Sequence, residues 1–195
     1  MTSGDLRQAR EGEVPGAGVL GMWIFLATLT VLFLAAIAGY LVVRLKATAW
    51  PPPGMPRLPA GLWLATVVLV AGSVTIHRAQ RAIRRGNLRT STRWLATTLA
   101  LGVAFVAVQS WNWWGLIRVR LTAASNLYAF TFFMLTGLHA AHVVGGIALL
   151  AIVWWRSSRG RYGCGHHPGI TYAAMYWHFL DAIWLLLFAV LVVFA

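Results

Sequence analysis

The sequence predicts an all-α integral membrane protein with five transmembrane helices, and composition and the spacing of its apolar runs carry that prediction. Of 195 residues, 59% are hydrophobic and 10% are charged, where a soluble domain carries about 25% charged residues. A mean hydropathy of +0.72 exceeds what a core of this size hides, so apolar surface must meet lipid. These numbers exclude a soluble enzyme, a disordered tail and a DNA-binding domain. The basic excess, sixteen Lys and Arg against four acids, falls between the apolar runs, where loop charges of membrane proteins lie. It suits anionic lipid head groups, and no nucleic-acid partner is expected. The single cysteine, Cys164, rules out an internal disulfide and any multi-cysteine metal or iron–sulfur site.

Five runs are long enough to span, at about 18–43, 61–77, 94–114, 126–155 and 170–195, since a bilayer takes about 20 helical residues. No alternating pattern suggests a barrel, and open sheets do not cross lipid, so each run is read as a helix. The first run follows Asp5, Glu11 and Glu13 and is too long for a signal peptide; it is expected to stay as a span. The second weakens after Ile76, which puts His77 and Arg78 at an interface. The first connection contains Trp50-Pro51-Pro52-Pro53-Gly54 and cannot continue a helix, because proline lacks the N–H. A rigid segment against the outer surface is expected. No internal repeat divides the chain, so residues 18–195 form one membrane domain behind a cytoplasmic tail, 1–17.

Charge sets the orientation. One side holds Arg7 and Arg10, then Arg78, Arg81, Arg84, Arg85, Arg89 and Arg93 in the second connection, then Arg156, Arg159 and Arg161. The other side holds only Arg44, Lys46, Arg57, Arg118 and Arg120. The richer side is cytoplasmic by the positive-inside rule, which places the N-terminus inside and the C-terminus outside.

Ionisable side chains inside spans are candidates for function, because lipid makes them costly. His139 and His142 share one face of the fourth helix, and His178 and Asp181 share one face of the fifth. Three readings compete: a haem or metal site, a proton path using Asp181, and structural contacts between helices or to lipid. The structural reading leads on the residues alone. Two histidines three apart on one helix cannot ligate one iron from opposite faces, and a proton path needs a longer polar chain. His166 and His167, near Cys164, read as a solvated turn. Trp50, Trp111, Trp113, Trp114, Trp154 and Trp155 fall near span ends, as an interfacial belt does. Gly137, Gly145 and Gly146 would permit close helix contact. No phosphate loop, nucleophile elbow or catalytic carboxylate pair is present, and no broken-helix repeat suggests a transporter.

Two stretches carry a resemblance. Thr136-Gly137-Leu138-His139-Ala140-Ala141-His142-Val143-Val144-Gly145-Gly146 and Tyr176-Trp177-His178-Phe179-Leu180-Asp181-Ala182-Ile183-Trp184 resemble the signature pair of subunit III of haem–copper oxidases. Leu20-Gly21-Met22-Trp23-Ile24-Phe25, the Trp-Pro-Pro-Pro-Gly run, Ser73-Val74-Thr75 and Gln109 fit the same family, in its five-helix form. The resemblance implies a non-catalytic subunit with no cofactor or metal of its own. It would pack on subunit I, which holds haem and copper, near subunit II, in the cytoplasmic membrane of a respiring cell. His139, His142, Tyr176, Trp177, His178 and Asp181 would be structural or lipid-binding. An accessory subunit of a nitric oxide reductase and a small haem-binding cytochrome remain as alternatives. Three carboxylates of the family pattern are replaced here, by Leu29, Thr171 and Asn112.

Overall fold

The computed structural model describes residues 17–56, 58–163 and 167–194. Among them are five helices: α1 (Ala17–Lys46), α2 (Gly61–Arg84), α3 (Leu88–Arg118), α4 (Leu127–Ser158) and α5 (Pro168–Val193). All five are long and apolar enough to cross a membrane. Helix starts follow local chemistry. The Asn87 side chain accepts from the Thr90 N–H at 3.0 Å, and Asn126 accepts from the Ala129 N–H at 2.8 Å; each cap satisfies a first-turn donor. Pro168 occupies the first turn of α5, where its missing N–H costs nothing. Gly86 (φ 77°) and Gly160 (φ 68°) follow the ends of α2 and α4, in the left-handed conformation that closes helices and that glycine adopts freely.

The helices pack as a ring with one addition. α2 meets α3, α3 meets α4, α4 meets α5, and α5 returns to α2. α1 leans on the α4–α5 edge alone. Its buried residues Leu26, Leu29, Phe33, Ile37 and Tyr40 form one stripe, at the spacing that lines one helix face. The rest of α1 is bare: Leu20, Trp23, Ile24, Val31 and Leu45 are each more than half exposed. On a soluble protein that surface would aggregate; here it is the face for lipid or a partner.

The second and third spans run longer than the hydropathy predicts. α2 continues past His77 to Arg84 and α3 begins at Leu88, so the expected basic connection shrinks to residues 85–87. Arg78, Arg81, Arg84, Arg89 and Arg93 are helical, because arginine is a good helix former whose long stem lets the head reach water. The Trp50 segment packs inward as well as lying on the surface. Its indole meets the Tyr40 ring at 5.6 Å and the Tyr128 ring at 5.0 Å, both edge-on. Asn126 Nδ2 donates to Met55 Sδ at 3.4 Å, which ties the segment to the start of α4. Asp5, Arg7, Arg10, Glu11, Glu13, Arg57, Cys164 and His166 lie outside the described residues.

Candidate functional site: polar groups inside the bundle

The polar side chains on α5 face α2. His178 Nδ1 and Ser73 Oγ share a hydrogen bond of 2.7 Å. The buried Asp181 carboxyl faces the same hydroxyl and the His178 ring. The exposed ring of His77, on α2, stands 6.3 Å from that of His178. Nearly two helical turns on, Trp184 Nε1 donates to Thr66 Oγ1 at 2.9 Å. Two cross-helix hydrogen bonds therefore fix the α2–α5 seam, each replacing the water that lipid cannot supply.

The α4 histidines do different work from each other. His142 is half-buried and donates from Nδ1 to the Leu138 carbonyl at 2.8 Å. A carbonyl only accepts, so Nδ1 carries the proton and Nε2 the lone pair. His139 is fully buried, and neither ring nitrogen has a hydrogen-bond partner. Its ring lies 6.2 Å from Phe33, 5.6 Å from Phe105 and 5.0 Å from Trp184, so it behaves as one more aromatic plate at the centre of the bundle. The two i,i+3 pairs thus face different neighbours: α5's pair ties to α2, while α4's pair meets aromatic rings.

Tyr176 and Trp177 close the remaining gaps. Tyr176 donates its hydroxyl to the His142 carbonyl at 3.1 Å and stacks at 6.0 Å on Phe25 of α1. Trp177 is 2% exposed, and its indole lies between two glycines. A Cβ on Gly72 would sit 2.9 Å from its Nε1, and a Cβ on Gly102 would sit 2.6 Å from its Cη2. Tryptophan reaches the axis because α2 and α3 present hydrogen where other residues present carbon. Of the α4 glycines, Gly146 is close-packed, since a Cβ there would sit 3.1 Å from Tyr176 and 3.2 Å from Leu180; a Cβ on Gly145 would reach Tyr176 only at 3.8 Å, and one on Gly137 would meet nothing within 4 Å. The close contact expected at Gly137 is not made.

Sequence reading passed over Gly72, Gly102 and the approach of His77 to His178. Isolated small residues carry no motif, and spacing along one helix says nothing about which helix lies opposite. Trp111, Trp114, Trp154 and Trp155 are exposed as a belt requires, while Trp113 turns inward to donate to Thr136 Oγ1 at 3.1 Å.

A cavity of about 660 Å³ opens between α1 and α5, lined by Trp23, Leu26, Ala27, Thr30, Met175, His178 and Phe179. Its walls are apolar except for Thr30 and His178, and its size is that of ligand clefts, about 300–1,000 Å³. Among the described residues no group of three or more His, Cys, Asp or Glu could hold a metal.

Fold and site define a multi-pass helical membrane protein whose buried polar groups join helices or border an apolar cleft. Its relatives place it more closely. The family model described as cytochrome c oxidase subunit III matches residues 12–195, and the chain belongs to that family. It is 34% identical over 176 residues to cytochrome c oxidase subunit 3 of a Synechocystis species, covering 89% of this chain and 74% of the relative. The subunit 3 of Thermostichus vulcanus is 34% identical over 180 residues, 92% of this chain and 88% of the relative. That of Branchiostoma lanceolatum is 34% identical over 175 residues, 86% and 66% respectively. The chain is thus a haem–copper oxidase subunit of the respiratory chain, which implies a complex with other oxidase subunits.

Proposed function

We propose that this chain is the non-catalytic third subunit of a terminal oxidase, packing on the haem- and copper-bearing subunit I beside subunit II. It would hold a phospholipid acyl chain in the α1–α5 cavity, in the cytoplasmic membrane, with its N-terminus inside. One observation carries the reading: the intramembrane polar groups do not converge. His178 and Asp181 meet Ser73 on one seam, His139 is packed among rings, and His142 bonds its own helix. A redox or ion-translocating centre needs ligands or a relay aimed at one point; helix ties do not. The broad apolar face of α1 and the lipid-sized cleft beneath it supply the surface such a subunit needs. The complex would reduce oxygen with electrons from cytochrome c, the donor in the relatives' names, while moving protons.

The test is purification of the native complex in mild detergent. The expected result is this chain together with a large subunit carrying haem and copper, and no Soret band on the chain once separated. Haem retained by the separated chain, and lost on His139→Phe, would overturn the proposal in favour of a cytochrome. A partner with b-type haem and no copper would point to a nitric oxide reductase.

A further inference from the structure

The α3–α4 seam holds a second cavity, on the other side of the ring from the α1–α5 cleft. It is about 480 Å³ and opens where α3 begins and α4 ends. Arg89 and Arg93 of α3 line it opposite Trp154, Ser157 and Ser158 of α4. The two arginines are one turn apart and exposed, so both heads reach the same opening. Thr92 Oγ1 and Ser157 Oγ, 2.7 Å apart, share a hydrogen bond that ties the two helices within the cavity.

The arginines stand out because they share one cavity with no counter-charge among the described residues. Asp181 is the one carboxylate among the described residues, and it lies in the middle of α5, too far along another seam to reach them. Three other arginines at that end of the bundle rest on indoles: Arg78 lies 4.9 Å over Trp94, and Arg159 and Arg161 lie 5.0 and 5.3 Å over Trp155; Arg81, Arg85 and Arg156 have no such ring among the described residues, but they do not line this cavity. Arg89 and Arg93 have neither a ring nor a carboxylate among the described residues. Two guanidiniums facing one cavity with no counter-charge repel each other, and an anion from outside relieves that.

The cavity also has a depth profile. Ala96, which lines it, is seven residues beyond Arg89 and therefore about 10 Å deeper along the helix axis. Cationic heads and hydroxyls stand at the mouth, while Ala96 and the partly exposed Trp154 ring stand below. A free phosphate would use only the mouth; an anionic amphiphile matches both halves.

We propose that this cavity binds one anionic phospholipid, its phosphate between Arg89 and Arg93 and an acyl chain over Ala96 and Trp154. The site is independent of the α1–α5 cleft and of the oxidase assignment, because it rests on this chain's own charges.

The experiment is native mass spectrometry of the delipidated complex containing the full chain, titrated with phosphatidylglycerol and read on this subunit. Arg89→Gln with Arg93→Gln should weaken binding about thirtyfold, from about fivefold per basic residue, whereas Arg81→Gln with Arg85→Gln should change it less than about threefold. Ala96→Phe, which fills the floor and leaves the charges, should weaken binding also. The proposal is overturned if the Arg89/Arg93 pair binds as the parent does, or if the Arg81/Arg85 pair loses as much. Displacement of the lipid by millimolar inorganic phosphate would make this a free-anion site and overturn it too. Much tighter lipid binding after Asp5→Asn, Glu11→Gln and Glu13→Gln would show that the acidic N-terminal segment is the true occupant.

Discussion

Gly102→Ala tests the packing of the bundle axis. A Cβ at that position would lie 2.6 Å from Trp177 Cη2 and 3.1 Å from Ile147 Cγ1, where carbon pairs prefer about 3.5–4.0 Å. The shortfall against the indole is about 1 Å. The ring has no retreat, because Trp177 is 2% exposed and a Cβ on Gly72, behind it, would already stand 2.9 Å from Nε1. Helices α3 and α5 must therefore move apart, at an overpacking cost of about 1–3 kcal/mol. Alanine also raises helix propensity, by about 1 kcal/mol, which masks part of that cost. Gly137→Ala supplies the reference: it gains the same propensity and meets nothing within 4 Å. The difference between the two variants isolates the clash. In an SDS titration of the purified chain in mixed micelles, followed by circular dichroism, Gly102→Ala should be about 1–3 kcal/mol less stable than Gly137→Ala. Trp177→Phe removes Cη2, so in that background the difference should fall below about 0.5 kcal/mol. Equal stability of the two alanine variants, or a gap that survives Trp177→Phe, refutes the packing argument.

Three further outcomes follow from the polar contacts and the charge pattern. Trp184→Phe and Thr66→Val each break the 2.9 Å bond across α2 and α5, and each should cost about 0.6–1.7 kcal/mol beyond any packing loss, the range for hydrogen bonds between membrane helices. The double variant should cost less than the sum, and strict additivity would remove the bond from the account. His139→Phe keeps the aromatic plate and deletes two unpartnered nitrogens; stability should hold or rise by about 1 kcal/mol, and a loss above about 2 kcal/mol would mean those nitrogens have a partner. In a Cys164→Ser background, a membrane-impermeant maleimide should label Gly54→Cys on intact cells and Gly86→Cys only after permeabilisation. The reverse pattern would invert the orientation drawn from the arginines.

The number of helices was legible because lipid leaves a chain few options, and apolar length alone then counts spans. Their ends were less so: hydropathy falls at His77, but α2 runs on to Arg84 because water does not stop a helix of alanine, glutamine and arginine. Asn87, the cap that marks the true start of α3, was a visible residue whose signal hydropathy ignores, whereas the fourth run was expected from 126 and α4 does begin at its Asn126 cap. The candidate site divides in the same way. Spacing correctly put His178 and Asp181 on one face, yet only the packed ring shows that this face meets Ser73 of α2 rather than α4. Trp177 was singled out by its motif, whereas Gly72 and Gly102, which make room for it, are ordinary glycines until the indole is seen between them.

Neither α4 histidine bonds a side chain, and both pack against the neighbouring helix α1. Leu29, which stands where the family pattern carries a glutamate, is buried in the middle of the α1 stripe. One turn further, Phe33 meets the His142 ring at 5.0 Å and the His139 ring at 6.2 Å. A carboxyl at position 29, one turn from Phe33, is expected to come within reach of these imidazoles; as the chain stands, His142 gives its proton to the Leu138 carbonyl. His142 Nε2 still offers a lone pair. Leu29→Glu should thus cost less than the about 2.5–3.5 kcal/mol of an unpartnered charge at mid-span, because Nε2 accepts the carboxyl proton. In a His142→Phe background the same glutamate should cost at least about 1 kcal/mol more. If the two substitutions add without coupling in the SDS titration, position 29 does not address His142, and leucine there explains nothing about the histidines.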